Sequence, residues 1–222
     1  MSLTTPWRPF LGTLLLISFS ALASLEQAFP EQADPDARYL IYSHGYIVEG
    51  DDPRPISPRW GLYDYPDVVR ALSSDEYRLI AHHRPAGTEP FGYARALAAR
   101  VEALMADGVP AHNITLMGFS RGGALSVLTA NELRETEINL VILAGCAGLV
   151  KGHPKVQAYG RVLSIYETTD QVGSCQFLVD RSPGVSSFKE VAITTGKGHG
   201  AFYLPREVWL KPAKAWTDTG RR

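Results

Sequence analysis

Residues 113–119, NITLMGF, form a short apolar run with the β-branched content of a strand, and the helical pattern RGGALSVLTANELRE begins two residues later. Between them sits Gly118-Phe119-Ser120-Arg121-Gly122. A serine held there occupies a tight strand-to-helix corner, with its hydroxyl projecting over the edge of a sheet. The flanking glycines remove Cβ atoms that would clash in such a corner, while Gly122, Gly123 and Ala124 let the helix approach the strand closely. The bare Gly-x-Ser-x-Gly string arises easily by chance in a chain with 20 glycines. The strand before it and the helix after it give it weight as a nucleophile setting rather than a simple helix cap.

The same alternation runs through the chain. RYLIYS reads as a strand, PDVVRALSSD as a short helix and YRLIAHH as a second strand. A helix starts near Pro90, with Thr88 as its cap. Its apolar positions Phe91, Ala94, Leu97, Val101 and Leu104 recur at three- and four-residue intervals, and Gly108 ends it. After the serine corner come the strands INLVILAGCA, RVLSIYE and VAITTG and a final amphipathic segment around AFYLPREVWLKPAKAW. Strands separated by helical patterns, and nearly continuously apolar themselves, predict an α/β fold: a mostly parallel central sheet with helices on both faces. Ligands bind such sheets beyond the carboxyl ends of the strands, which puts His44, His82, His83, Ser120, Cys146, Asp170 and His199 along one edge.

The first 23 residues stand outside this pattern. Arg8, the apolar run Phe10–Ile17 and the small-residue ending Ala21-Leu22-Ala23 form the three-part pattern of a secretory signal peptide, leaving residues 24–222 as one domain. The apolar segment is short for the roughly 20 residues of a membrane span, so no stable membrane insertion is expected after its removal, and the mature chain is expected to be secreted or periplasmic. A formal net charge of -1 with no basic tract argues against nucleic acid as a partner. Cys146 and Cys175 are the chain's two cysteines. In an exported protein they can form one disulfide, with two buried thiols as the alternative.

A serine hydroxyl needs a base to take its proton. His199, in GKGHG after the last strand, has the best position, since glycines on both sides let its loop bend inward. His112 points to the wrong end of the sheet and His153 lies in a polar linker. The supporting carboxylate should follow RVLSIYE: Asp170 is in the turn beyond it, and Glu167, nearly at the strand's end, is the less favoured choice. Two backbone N–H groups are required for a developing oxyanion. Arg121, after the serine, supplies one, and Tyr46 the other, with Gly45 permitting the bend after the first strand and His44 fixing that loop. Arg54, Arg84 and Arg121 could draw an anionic substrate, although scaffold roles are commoner for such arginines. His44, His82, His83 and His199 have no recognised metal-ligand spacing, so neither a metal nor another cofactor is expected.

Taken in chain order, SHGY, GFSRGG, YETTDQVG and GKGHG resemble the serine-dependent branch of the α/β-hydrolase family, over nearly all of the chain after the leader. The resemblance implies a Ser120-His199-Asp170 triad with a Tyr46 and Arg121 oxyanion hole, acting on a small-molecule or lipid-like ester. The chain is compact for that family. The customary antiparallel hairpin at the start of the sheet and a helical cap after VILAGCA both look missing, as in cutinase-size or dienelactone-hydrolase-like enzymes with an open site. Amide or thioester hydrolysis uses the same residues, and a binding protein that kept the fold without the chemistry is the alternative of another class.

Overall fold

The computed structural model describes residues 28–219; the expected leader, residues 1–23, lies outside them. Six strands form one sheet in the order β4-β1-β5-β6-β7-β8. They are β1 (Tyr39–Ser43), β4 (Arg78–Ala81), β5 (Ile114–Phe119), β6 (Asn139–Leu143), β7 (Gly160–Glu167) and β8 (Val185–Ile193). Every neighbouring pair is parallel. A separate antiparallel pair, β2 (Ile56–Ser57) and β3 (Gly61–Leu62), falls between β1 and β4.

Side-chain alternation along the strands builds two cores, one on each face. Tyr39, Ile41, Leu116, Leu140, Ile142 and Val162 point to the face covered by α2 (Pro90–Ala106) and α3 (Arg121–Leu133). Leu40, Tyr42, Met117, Phe119, Val141 and Leu163 point to the other, covered by α1 (Tyr65–Leu72) and α6 (Glu207–Asp218). Because both faces are covered, β1, β5 and β6 are buried at every position, which is why their sequences are apolar without alternation. Burying each such Leu or Ile contributes roughly 1.5–3 kcal/mol. Two shorter helices, α4 (Gly148–Lys151) and α5 (Gln176–Asp180), follow β6 and β7. Among the described residues no helix is long and apolar enough to cross a membrane.

The helix at Pro90 is capped differently from the sequence expectation. Glu89 takes the cap, its carboxylate accepting from Phe91 N and Gly92 N, while Thr88 Oγ1 donates to Pro85 O at 2.8 Å. The longer glutamate reaches two orphan donors at once, and its charge suits a helix N-terminus. At the other end Gly108 has φ +100, as a left-handed stop requires. The chain leaves β1 to form β4 on one side and then crosses to β5 on the other. The strand order therefore reverses between β1 and β5, where Ser43 pairs in register with Gly118. Crevices form at such reversals, beyond the strands' carboxyl ends.

Candidate active site

Ser120 is the residue just past β5 at this reversal, with φ 54 and ψ -119, a conformation costly for a side chain that bears a Cβ. The corner is held from several directions. Ser120 N donates to Leu143 O of β6 at 2.8 Å, and Ala124 N to Ser120 O at 3.0 Å. A Cβ on Gly118 would come within 2.2 Å of Gly122 O, and one on Gly122 within 1.9 Å of Ser43 O. These glycines are needed for close approach of backbone to backbone.

Three side chains expected from the sequence to act together meet here. His199, in the short 3-10 turn Gly198–Phe202 after β8, faces Ser120, with Nε2 2.7 Å from Oγ. Its Nδ1 is 2.6 Å from Asp170 Oδ2, in the turn after β7. With Nδ1 turned to the carboxylate, Nε2 is the ring nitrogen that faces the serine hydroxyl. The His199 and Asp170 side chains are only 13% and 6% exposed.

Glu167 is not part of this line. Fully buried at the end of β7, it accepts from Thr169 N and Oγ1, both at 2.6 Å, and from Thr195 N and Oγ1 and Gly196 N. Burial alone would raise its pKa, but these bonds favour the charged form more strongly and bring it down to about 2. One carboxylate thereby clamps the turn carrying Asp170 to the segment leading to His199.

The loop after β1 approaches Ser120 from the opposite side. Tyr46 opens the 3-10 turn Tyr46–Val48 and Arg121 opens α3, so neither N–H has an acceptor inside its own helical turn. Gly45 has φ -71, an ordinary value, so the bend does not require glycine. Space is tight instead: a Cβ there would sit 3.1 Å from ring carbons of Phe119 and 3.3 Å from Tyr63. His44 fixes the loop as expected from the sequence. Its Nδ1–H donates to Gly45 O at 2.9 Å while Nε2 accepts from Arg84 N at 2.8 Å. Burial, and then the Arg84 charge, hold its pKa well below the usual histidine value. The ring is therefore neutral and structural. His82 and His83 are likewise engaged, with Tyr93 Oη and Val48 O, and burial lowers the His82 pKa to about 3.

Glu49 carries no signal in the sequence. Its side chain, 2% exposed, accepts from Arg121 Nε at 2.8 Å and Arg84 Nε at 3.4 Å. Arg84 also donates to His44 O, and Arg121 Nη2 to Thr88 O at 2.6 Å. The Arg121 guanidinium lies over the Tyr46 ring, 5.1 Å from its centroid. Arg84 is fully buried, and Arg54 pairs with Asp64 at 3.1 Å. Arg84 and Arg121 are thus tied into the scaffold, and Arg54 is a half-exposed surface ion pair.

Trp60 is the other residue missing from the sequence reading. It lies between β2 and β3, 5.4 Å from the His199 ring by centroid, and a Cβ on Gly200 would meet its Cβ at 2.7 Å. The site is therefore roofed on one side by a small hairpin, although no helical cap follows β6. Cys146 and Cys175 form a disulfide, with Cα atoms 5.4 Å apart; it joins the loop after β6 to the segment beyond Asp170. A larger hollow, about 1100 Å³, lies near the amino ends of β1 and β4, between Arg38, Glu76, Arg78 and Asp218. It has no histidine and no access to Ser120. Among the described residues no cluster of His, Cys, Asp or Glu has the geometry to hold a metal.

Solved structures share this fold. The chain is 19% identical to esterase PE8, covering 86% of this chain and 96% of that one with a TM-score of 0.55. The fold is that of the α/β-hydrolases. Other structures with this α/β-hydrolase arrangement include Arabidopsis thaliana SOBER1, at 14% identity, 82% and 97% coverage and a TM-score of 0.52. A hydrolase from Thermoplasma acidophilum described as CIB-like matches at 18% identity, 84% and 88% coverage and a TM-score of 0.53. No family model and no curated protein matches the sequence. At these identities the likeness concerns the α/β-hydrolase fold, and the chemistry has to be argued from the site itself.

Proposed function

We propose that the protein is a serine hydrolase that cleaves carboxylic esters through an acyl-enzyme. The observation that carries this reading is the continuous line of hydrogen bonds from Ser120 Oγ through His199 to Asp170, at 2.7 and 2.6 Å. In the first half-reaction Ser120 Oγ attacks the carbonyl carbon as its proton passes to His199 Nε2. The carbonyl oxygen becomes an oxyanion facing the Tyr46 and Arg121 N–H groups. The tetrahedral centre collapses, the bond to the alcohol oxygen breaks, and that oxygen leaves with the proton from Nε2. Water then attacks the acyl carbon, giving its proton to His199, and Ser120 departs with that proton as the free acid is released. Asp170 holds the imidazole tautomer and stabilises its protonated form.

Glu49 is a positioning residue in this scheme, because it joins the loop bearing Tyr46 to the side chain of Arg121. Amide or thioester hydrolysis would run through the same groups. The two short contacts favour a working site over a silent binding protein. Export, with removal of residues 1–23, is part of the same proposal, and a disulfide beside the site is supporting evidence because such bonds persist in oxidising compartments. The reading is tested by turnover of a short-chain aryl ester. Ser120→Ala should lose roughly three or more orders of magnitude and keep the melting temperature of the parent. Retention of more than a tenth of the parental rate would overturn it.

A further inference from the structure

Three hollows meet at Ser120, and only two of them touch His199. The first, about 260 Å³, lies between Tyr46, Arg121, Ala124, Gly145, Ala147 and Leu149. The second, about 230 Å³, is aromatic, between Ile47, Trp60, Tyr63, Phe119 and Tyr203, and reaches His199. The third, about 220 Å³, also reaches His199, between Arg59, Trp60, Thr169, Gln171 and Val172. Tyr46 borders the first and second, and Trp60 the second and third. The guanidinium of Arg121, itself held by Glu49, lies over the Tyr46 ring.

From this division we infer which part of an ester each hollow takes. The inference rests on the hydrolytic reading above. The leaving oxygen must reach His199 Nε2 to receive its proton, so the alcohol portion occupies a hollow that touches His199. The oxyanion points to the backbone donors of Tyr46 and Arg121. The acyl chain is then left with the first hollow, which borders both donors and Ser120 but not the histidine. Its walls are the small side chains Ala124 and Ala147 and the larger aliphatic Leu149, with Gly145 between them. The substrate class is therefore an ester of an aliphatic acid, whose chain lies along Ala124, Ala147 and Leu149. Its alcohol portion packs in the aromatic second hollow against Trp60, Tyr63 and Tyr203, whose rings offer flat apolar faces and suit an aryl or other planar group. Ala147 and Leu149 set acyl length, and Trp60 sets alcohol preference.

The test is a two-way panel of purified variants. One arm uses 4-nitrophenyl esters from acetate to dodecanoate. The other uses acetates of methyl, butyl, benzyl and naphthyl alcohols, with circular dichroism and melting temperature read for each variant. Ala147→Leu should move the acyl optimum at least two carbons shorter and Leu149→Ala at least two carbons longer, with the order of alcohols kept. Trp60→Ala should lower kcat/KM for the naphthyl ester relative to the methyl ester by about tenfold, the worth of a lost aromatic contact, with the acyl optimum kept. Should Trp60→Ala move the acyl optimum while folded Ala147→Leu and Leu149→Ala leave it unchanged, the assignment is reversed and the inference fails, with the hydrolytic reading intact. If the parent protein cleaves no ester in either arm and its Ser120 resists phosphonylation, the hydrolytic reading itself fails.

Discussion

Glu49 Oε1 receives Arg121 Nε at 2.8 Å, so one buried carboxylate ties the loop that follows β1 to the first side chain of α3. Replacing it by glutamine keeps size and an acceptor but removes the charge that holds Arg84 and Arg121 together. Glu49→Gln should lower kcat roughly ten- to a hundredfold, as small displacements of catalytic groups do, with KM changed less than threefold. Steady-state kinetics on the folded variant check it; a rise in KM at constant kcat would assign Glu49 to substrate binding instead. Glu49→Leu should also destabilise the fold by about 3–5 kcal/mol, because it leaves buried Arg84 without its partner.

Asp170 and Glu167 are three residues apart and should respond in opposite ways. Asp170→Asn should cut turnover by roughly 10³–10⁴ with little loss of stability, since it disturbs the tautomer of His199. Glu167→Gln should be the milder change for turnover and the larger one for melting temperature. Parallel assays of rate and thermal unfolding decide this, and a dead Glu167→Gln beside an active Asp170→Asn would reverse the roles.

The clamp also predicts a pH dependence. Glu167 has a pKa of about 2 in the folded protein, against an ordinary value of 4.5, so its contribution is complete above about pH 4.5. It is lost as the pH falls from there through about 2, and amounts to on the order of 3 kcal/mol. The stability difference between the parent and Glu167→Gln, measured by urea unfolding, should therefore be largest near neutrality and shrink between pH 4.5 and 2. A difference that stays constant over that range would show that the charge contributes nothing.

The disulfide spans 29 residues, and closing such a loop contributes about 2–4 kcal/mol. The Cys146→Ala, Cys175→Ala double variant should lose that much unfolding free energy, and activity as well, because the bond ties the wall of the acyl hollow to the segment that follows Asp170. Alkylation of the denatured protein without reductant, read by intact mass, should find no free thiol. Two alkylated cysteines would contradict the bridge.

The parts of this design that were legible in the sequence share a physical cause. Strands buried on both faces must be continuously apolar, so β1, β5 and β6 were readable, and the strained corner at Ser120 leaves its mark as glycines at 118 and 122. The early part of β8 was missed because an edge strand exposed along one side, with Ser186, Ser187 and Lys189, carries little apolar signal. The hairpin bearing Trp60 has strands of two residues each, too short for any period. Glu49 was hidden for a different reason. In VEGDDPRP it looks like one more solvated acid, and only the tertiary arrival of Arg84 and Arg121 makes it a buried one. Gly45 is not needed for the bend that the sequence suggests; its tight spacing against Phe119 and Tyr63 lies wholly in the packing.

The central claim is that Ser120 is activated by His199 and attacks. Treating the folded protein with an active-site-directed fluorophosphonate and mapping the adduct by peptide mass spectrometry tests it most directly. One phosphonyl group is expected, on Ser120, with labelling slowed at least a hundredfold in His199→Ala. An unmodified Ser120, or an adduct formed equally fast without His199, would contradict it.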